Sequence, residues 1–96
     1  MKSLSGMAIS ADTVDLIERI TDFLESHANE VWQESDILGH FSVEDQKDIL
    51  AFGSISQFPG SILQKGMNYL LAQLYDEDYC ILQEDTGLYL LMGITM

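Results

Sequence analysis

Residues 60–92 constrain this chain most. Across PGSILQKGMNYLLAQLY, the residues Leu63, Met67, Leu70, Leu71 and Leu74 recur at helical spacing and form one apolar stripe. Asp76, Glu77 and Asp78 then put negative charge where a helix already ends in a negative dipole, so they terminate it. Residues 79–83 and 88–92 are rich in aromatic and aliphatic side chains, and Glu84-Asp85-Thr86-Gly87 between them supplies turn chemistry with a glycine available for positive φ. The expectation is a helix over 60–76 followed by an antiparallel hairpin over 79–94.

Upstream, the pattern is helical. Residues 1–9 carry Ser and Gly without periodicity and read as a loose N-terminal arm, leaving 10–96 as one domain. Val14, Ile17, Ile20, Phe23, Leu24 and Ala28 give a first helix an inward stripe, with Ser10 or Asp12 as its N-cap. Val31 and Trp32 suit a short extended segment, and ESDILGHF a brief second helix with Ile37, Leu38 and Phe41 inward. Ser42 can cap a third helix, VEDQKDILAF, with Ile49, Leu50 and Phe52 on its apolar side, and Gly53 offers a stop before the loop GSISQFPG. The fold class is therefore α+β and mostly helical, with three to four helices and a C-terminal two-stranded antiparallel hairpin.

This order of elements resembles the winged-helix superfamily, with NYLLAQLYDEDYCILQEDTGLYLL in the place of a leucine-rich recognition helix running into two wing strands. The resemblance rests on element order and apolar spacing across nearly the whole chain. The stretch 42–58 is longer than the tight turn that usually precedes a recognition helix. The family's shape implies contact with nucleic acid, but charge opposes it. Lys2, Arg19, Lys47 and Lys65 stand against sixteen carboxylates for a formal net charge of -12, so a phosphate backbone or an anionic membrane is repelled and basic partners are attracted. On the helix only Lys65 could meet a phosphate, and the wing tip carries Glu84 and Asp85.

Three surfaces are candidates for function. The polar face of the 60–76 helix, Gln64, Lys65 and Asn68 with Tyr69 at its border, is where the family reads bases, and Gln and Asn can pair with adenine edges; they can equally face solvent. The hairpin is apolar on both sides of its pleat, so one side covers the helices while the other needs a partner, a second copy of the chain, or the arm residues Leu4, Met7 and Ile9. Tyr79, Ile81, Tyr89 and Leu91 are the expected docking residues there. Asp12, Asp15, Glu18, Asp22 and Glu25 form a stripe along the first helix, roughly 20 Å long at about 1.5 Å per residue. Its charges are somewhat sparser than the phosphates of a DNA strand at about 3.4 Å each, so it is either an ordinary solvated face or a nucleic-acid mimic.

Cys80, His27 and His40 match no closed metal site, and Cys80 and Ile81 stand where an EF-hand wants a ligand and a glycine. No phosphate loop or nucleophile elbow is present. The reading is a cytoplasmic, non-enzymatic regulator with no metal and no cofactor. It binds a basic or nucleic-acid-binding protein, and direct DNA binding and membrane association are disfavoured. An acidic DNA-mimic inhibitor and a dimeric DNA-binding regulator are the alternatives.

Overall fold

The computed structural model describes residues 10–75 and 79–93 of the chain. It is an α+β domain in the order α1 (Ala11–Ser26), β1 (Val31–Gln33), α2 (Glu34–Gly39), α3 (Val43–Ile55), α4 (Ile62–Tyr75), β2 (Cys80–Asp85) and β3 (Leu88–Met92). The expected arm at 1–9 and the acidic break at 76–78 lie outside the described residues.

Local chemistry sets the boundaries. Ser10, not Asp12, caps α1, its Oγ accepting from the Thr13 N–H at 3.1 Å. Asn29 adopts a left-handed φ of 71° just after the helix, and its N–H donates to the Leu91 carbonyl at 2.8 Å, turning the chain onto the sheet. Ser42 caps α3 through the Asp45 N–H at 3.1 Å, as the sequence suggests. Ser61 does the same for α4, with its Oγ accepting from Gln64 N–H at 3.2 Å and its carbonyl from Lys65 N–H at 2.8 Å.

The inward side of α1 is Leu16, Ile17, Ile20, Phe23 and Leu24, all buried. The expected stripe omitted Leu16 and included Val14, which is half-buried, and Ala28, which falls beyond the helix end. Ile37 and Phe41 are buried as expected, with Leu38 packed beside them. On α4, Leu63, Met67, Leu70 and Leu71 are buried, but Leu74 is 43% exposed. Each fully buried Leu or Ile contributes roughly 1.5–3 kcal/mol of apolar transfer, so this shared core outweighs any single cap.

Gly53 is the clearest correction. It was expected to end the third helix, yet α3 continues to Ile55 and Gly53 is buried inside it. A Cβ on Gly53 would strike the Ile62 carbonyl, and one on Gly66 of α4 would strike the Ile49 carbonyl. The two glycines let α3 and α4 cross with their backbones in contact, and the helix tolerates Gly53 because that approach repays its conformational cost.

β3 lies in the middle of a three-stranded antiparallel sheet of order β1-β3-β2. Val31 faces Leu90 and Trp32 faces Tyr89 on one side of β3, while Ile81 faces Leu91 and Leu82 faces Leu90 on the other. Strand alternation therefore sends Trp32, Ile81, Tyr89 and Leu91 toward the helices. Among the described residues no helix is long and apolar enough to cross a membrane.

Because the α3–α4 crossing depends on absent side chains, Gly66→Ala should lower unfolding free energy by about 1–3 kcal/mol, despite alanine's better helix propensity. Urea denaturation of the two proteins checks it; equal midpoints would mean the helices do not approach this closely.

Candidate functional site

The polar face of α4 does not point where the sequence suggests. Asn68 uses both ends of its amide on one residue of β2: Oδ1 accepts from the Ile81 N–H at 2.9 Å and Nδ2 donates to the Ile81 carbonyl at 3.1 Å. Gln64, one helical turn earlier and only 8% exposed, donates from Nε2 to the same carbonyl at 3.3 Å. In an antiparallel ladder, alternate residues turn their backbone groups toward and away from the partner strand. Ile81 is one of those facing away from β3, so the Asn68 amide occupies the place of a neighbouring strand. The buried Gln64 Oε1 meets no hydrogen-bond partner among the described residues and packs against Gly60, whose φ of 109° suits only glycine.

The expected docking set thus divides. Gln64 and Asn68 are engaged by β2, and Gln64 is removed from the surface. Lys65 and Tyr69 are half-buried, and Tyr69 stacks on Phe52 with ring centroids 5.6 Å apart. Tyr79, Ile81, Tyr89 and Leu91 are core residues. Which side of the hairpin is inward could not be read from a strand pair apolar on both sides.

The remaining side of the sheet is the exposed one. Val31, Leu90 and Leu82 form a row across all three strands, with Cys80 paired to Met92 and Leu88 to Gln33 next to it. Val31 is 52% and Leu82 43% exposed, and Leu88, Leu90 and Met92 are half-buried. This surface joins the two strands of the hairpin to β1, which is distant from them in sequence, and only the hairpin's two-sided apolar pattern signalled it.

All five carboxylates of the α1 stripe are exposed. Glu25 accepts from the Tyr79 hydroxyl at 2.6 Å, which fixes one end of the stripe to the start of the hairpin. Arg19, the one cation of α1, is taken up by Asp45 of α3 in a two-pronged pair with both N···O distances 2.8 Å. Asp45's hydrogen bond, reinforced by the negative charge of Asp45, Asp15 and Asp12, holds the guanidinium above its usual range. The partner of Arg19 is 26 residues away, so the pair was not readable from helix spacing.

Both histidines pack on Phe23. His27 and His40 lie 5.2 and 4.4 Å from its ring, with Trp32 edge-on at 4.9 Å and Phe41 at 5.5 Å. Glu30 receives the Trp32 indole N–H at 2.9 Å and bonds His27 Nδ1 at 3.2 Å; the indole bond is the main reason its carboxyl sits below the ordinary value. Among the described residues no three His, Cys, Asp or Glu side chains converge in a way that could hold a metal ion.

A second polar chain ties the sheet to two helix starts. The Tyr89 hydroxyl bonds Ser61 Oγ at 2.5 Å and Glu34 Oε1 at 2.9 Å. Comparison of the chain with protein-family models, with curated proteins and with solved structures returns no match.

Burial pushes the Tyr89 phenol up; the Ser61 bond opposes the shift, and the bond to Glu34 and its charge add to it. The unfolded phenol ionises near pH 10 while the folded one still holds its proton. The unfolded state then binds fewer protons, so Tyr89's contribution is complete below about pH 10 and is lost as pH rises through the folded value. Tyr89→Phe should be less stable at neutral pH by about 1 kcal/mol and should lose less stability between neutral and strongly alkaline pH. Parallel alkaline slopes in urea melts of the two proteins would show that Tyr89 is not protected.

Proposed function

We propose that the chain is a non-enzymatic, acidic, winged-helix-like interaction module that binds a protein partner through the outward face of its sheet. The observation carrying this reading is the three-strand apolar row Val31–Leu90–Leu82, with its first and last members about half exposed. An exposed apolar patch of this kind is commonly an association surface. The net charge of -12 supports a basic partner, steered by long-range attraction and weakened by salt. The β1-β3-β2 sheet behind helices supports the winged-helix likeness. A cytoplasmic setting suits a chain with a single cysteine.

Base reading by α4 loses its support, since the amides of Gln64 and Asn68 are spent on Ile81. The acidic decoy reading retains a specific observation: Asp12, Asp15, Glu18 and Asp22 are exposed in one line, and the cation beside them is paired to Asp45.

Affinity capture from the host lysate, with and without nuclease, separates these readings. The wild-type protein should retain a basic protein partner regardless of nuclease, and a Leu82→Ser, Leu90→Ser double variant should lose it while a variant with the α1 carboxylates amidated to Asn and Gln keeps it. Loss only in the amidated variant would transfer the function to the stripe. Capture of no protein, together with duplex DNA binding at moderate salt, would overturn both.

A further inference from the structure

The two edges of the sheet are treated differently. On β2 the outward N–H and C=O of Ile81 are covered by Asn68. On β1 the bonds Leu91 N–H to Glu30 carbonyl at 2.9 Å and Glu34 N–H to Gly87 carbonyl at 2.8 Å set the alternation. They make Trp32 the residue bonded to β3 and turn Val31 and Gln33 outward. The Val31 N–H and C=O and the Gln33 N–H meet no hydrogen-bond partner among the described residues. Unpaired edge groups of this kind are a template for another strand.

Beside this edge runs a groove of about 770 Å³ between β1 and α2, lined among others by Val31, Ser35, Asp36, Gly39 and His40. Gly39 has no structural reason to be glycine. Its φ is not positive, and a Cβ there would meet nothing within 4 Å. Alanine would suit the last turn of α2 better. What Gly39 does is leave the groove wall open.

We infer that the β1 edge and this groove take an extended basic segment of the partner protein, which adds to β1 as a fourth strand. Backbone pairing to Val31 and Gln33 supplies the alignment, as in other strand-addition complexes. Charge selects a basic segment over a second copy: Asp36 lines the groove, and Glu30 and Glu34 flank β1 in the sequence. Among the described residues no lysine or arginine lines the groove. Pairing β1 with its own copy would bring these carboxylates together twice over, in a molecule already at -12. The inference rests on the protein-binding reading and assigns that partner a second, directional contact beside the outer sheet face.

The test uses a capped peptide of about ten residues, alternating lysine with valine, titrated into the full chain labelled with nitrogen-15 and followed by amide shifts. Saturable shifts should centre on Val31, Gln33, Asp36 and Gly39. Gly39→Leu should keep the thermal midpoint and weaken binding by at least about tenfold. Should that variant fold poorly, Asp36→Lys should weaken the lysine peptide and favour one alternating glutamate with valine. A peptide with proline in place of valine loses every second backbone N–H and is held near a φ of about -65°, off the strand conformation, so it should not shift these amides. Shifts confined to Asp12, Asp15, Glu18 and Asp22, equal binding of the proline peptide, or absence of binding would each overturn the inference. So would a concentration-dependent dimer, measured by sedimentation, that Gly39→Leu dissolves, since the occupant would then be a second copy. The probe does not depend on the natural partner, so its failure alongside nuclease-resistant capture removes the groove and leaves the outer sheet face standing.

Discussion

The Asn68 amide against the backbone of Ile81 is the contact on which the arrangement of the surface depends. It fastens α4 to the edge of β2, and Gln64 reinforces it from the turn before. An unpaired backbone group buried at such a junction would cost about 1–3 kcal/mol, so the side chain that satisfies both groups of Ile81 stabilises the helix–hairpin join as well as closing the edge. Once the join is made, Tyr79, Ile81, Tyr89 and Leu91 are committed to the core, and Val31, Leu82 and Leu90 face outward. The amide fixes which edge of β2 the helix covers, and strand alternation sets which side chains face in and out.

The same contact redistributes polarity. A helix face carrying Gln, Lys and Asn looks like a reading surface when only the helix is considered. Folded, it is the hydrogen-bonding lining of a helix–strand seam, and the sheet's outer side becomes the more open apolar surface. Charge is organised separately: Arg19 leaves the α1 stripe to pair with Asp45, and Glu25 takes the Tyr79 hydroxyl. The domain therefore presents an acidic helix and an apolar sheet face as two distinct surfaces, the former suited to long-range attraction and the latter to contact.

Much of the fold was legible locally. Ser42 and the acids after it announced α3, the leucine stripe announced α4, and Gly87 marked a turn where φ is indeed positive, 74°. What escaped were relations between distant residues. Gly53 carries the local signature of a helix stop, and only the approach of Ile62 makes it a crossing point. Asn68 and Ile81 are 13 residues apart on different elements, and Tyr89 and Glu34 are 55 apart. Periodicity shows which positions share a face of one element, but not which backbone edge that face will meet. The hairpin's two-sided apolar pattern shows that one side must cover the helices and that the other calls for a cover or an association surface, but not which side is which.

Native-state hydrogen exchange read residue by residue tests the asymmetry of the two edges most directly. With Asn68 capping β2 and β1 left open, the Ile81 amide should exchange as slowly as the ladder amides of β3, while Val31 and Gln33 exchange faster by at least about tenfold. An Ile81 amide exchanging as fast as those of Val31 and Gln33 would contradict the account, because α4 would then not be holding the edge of the sheet.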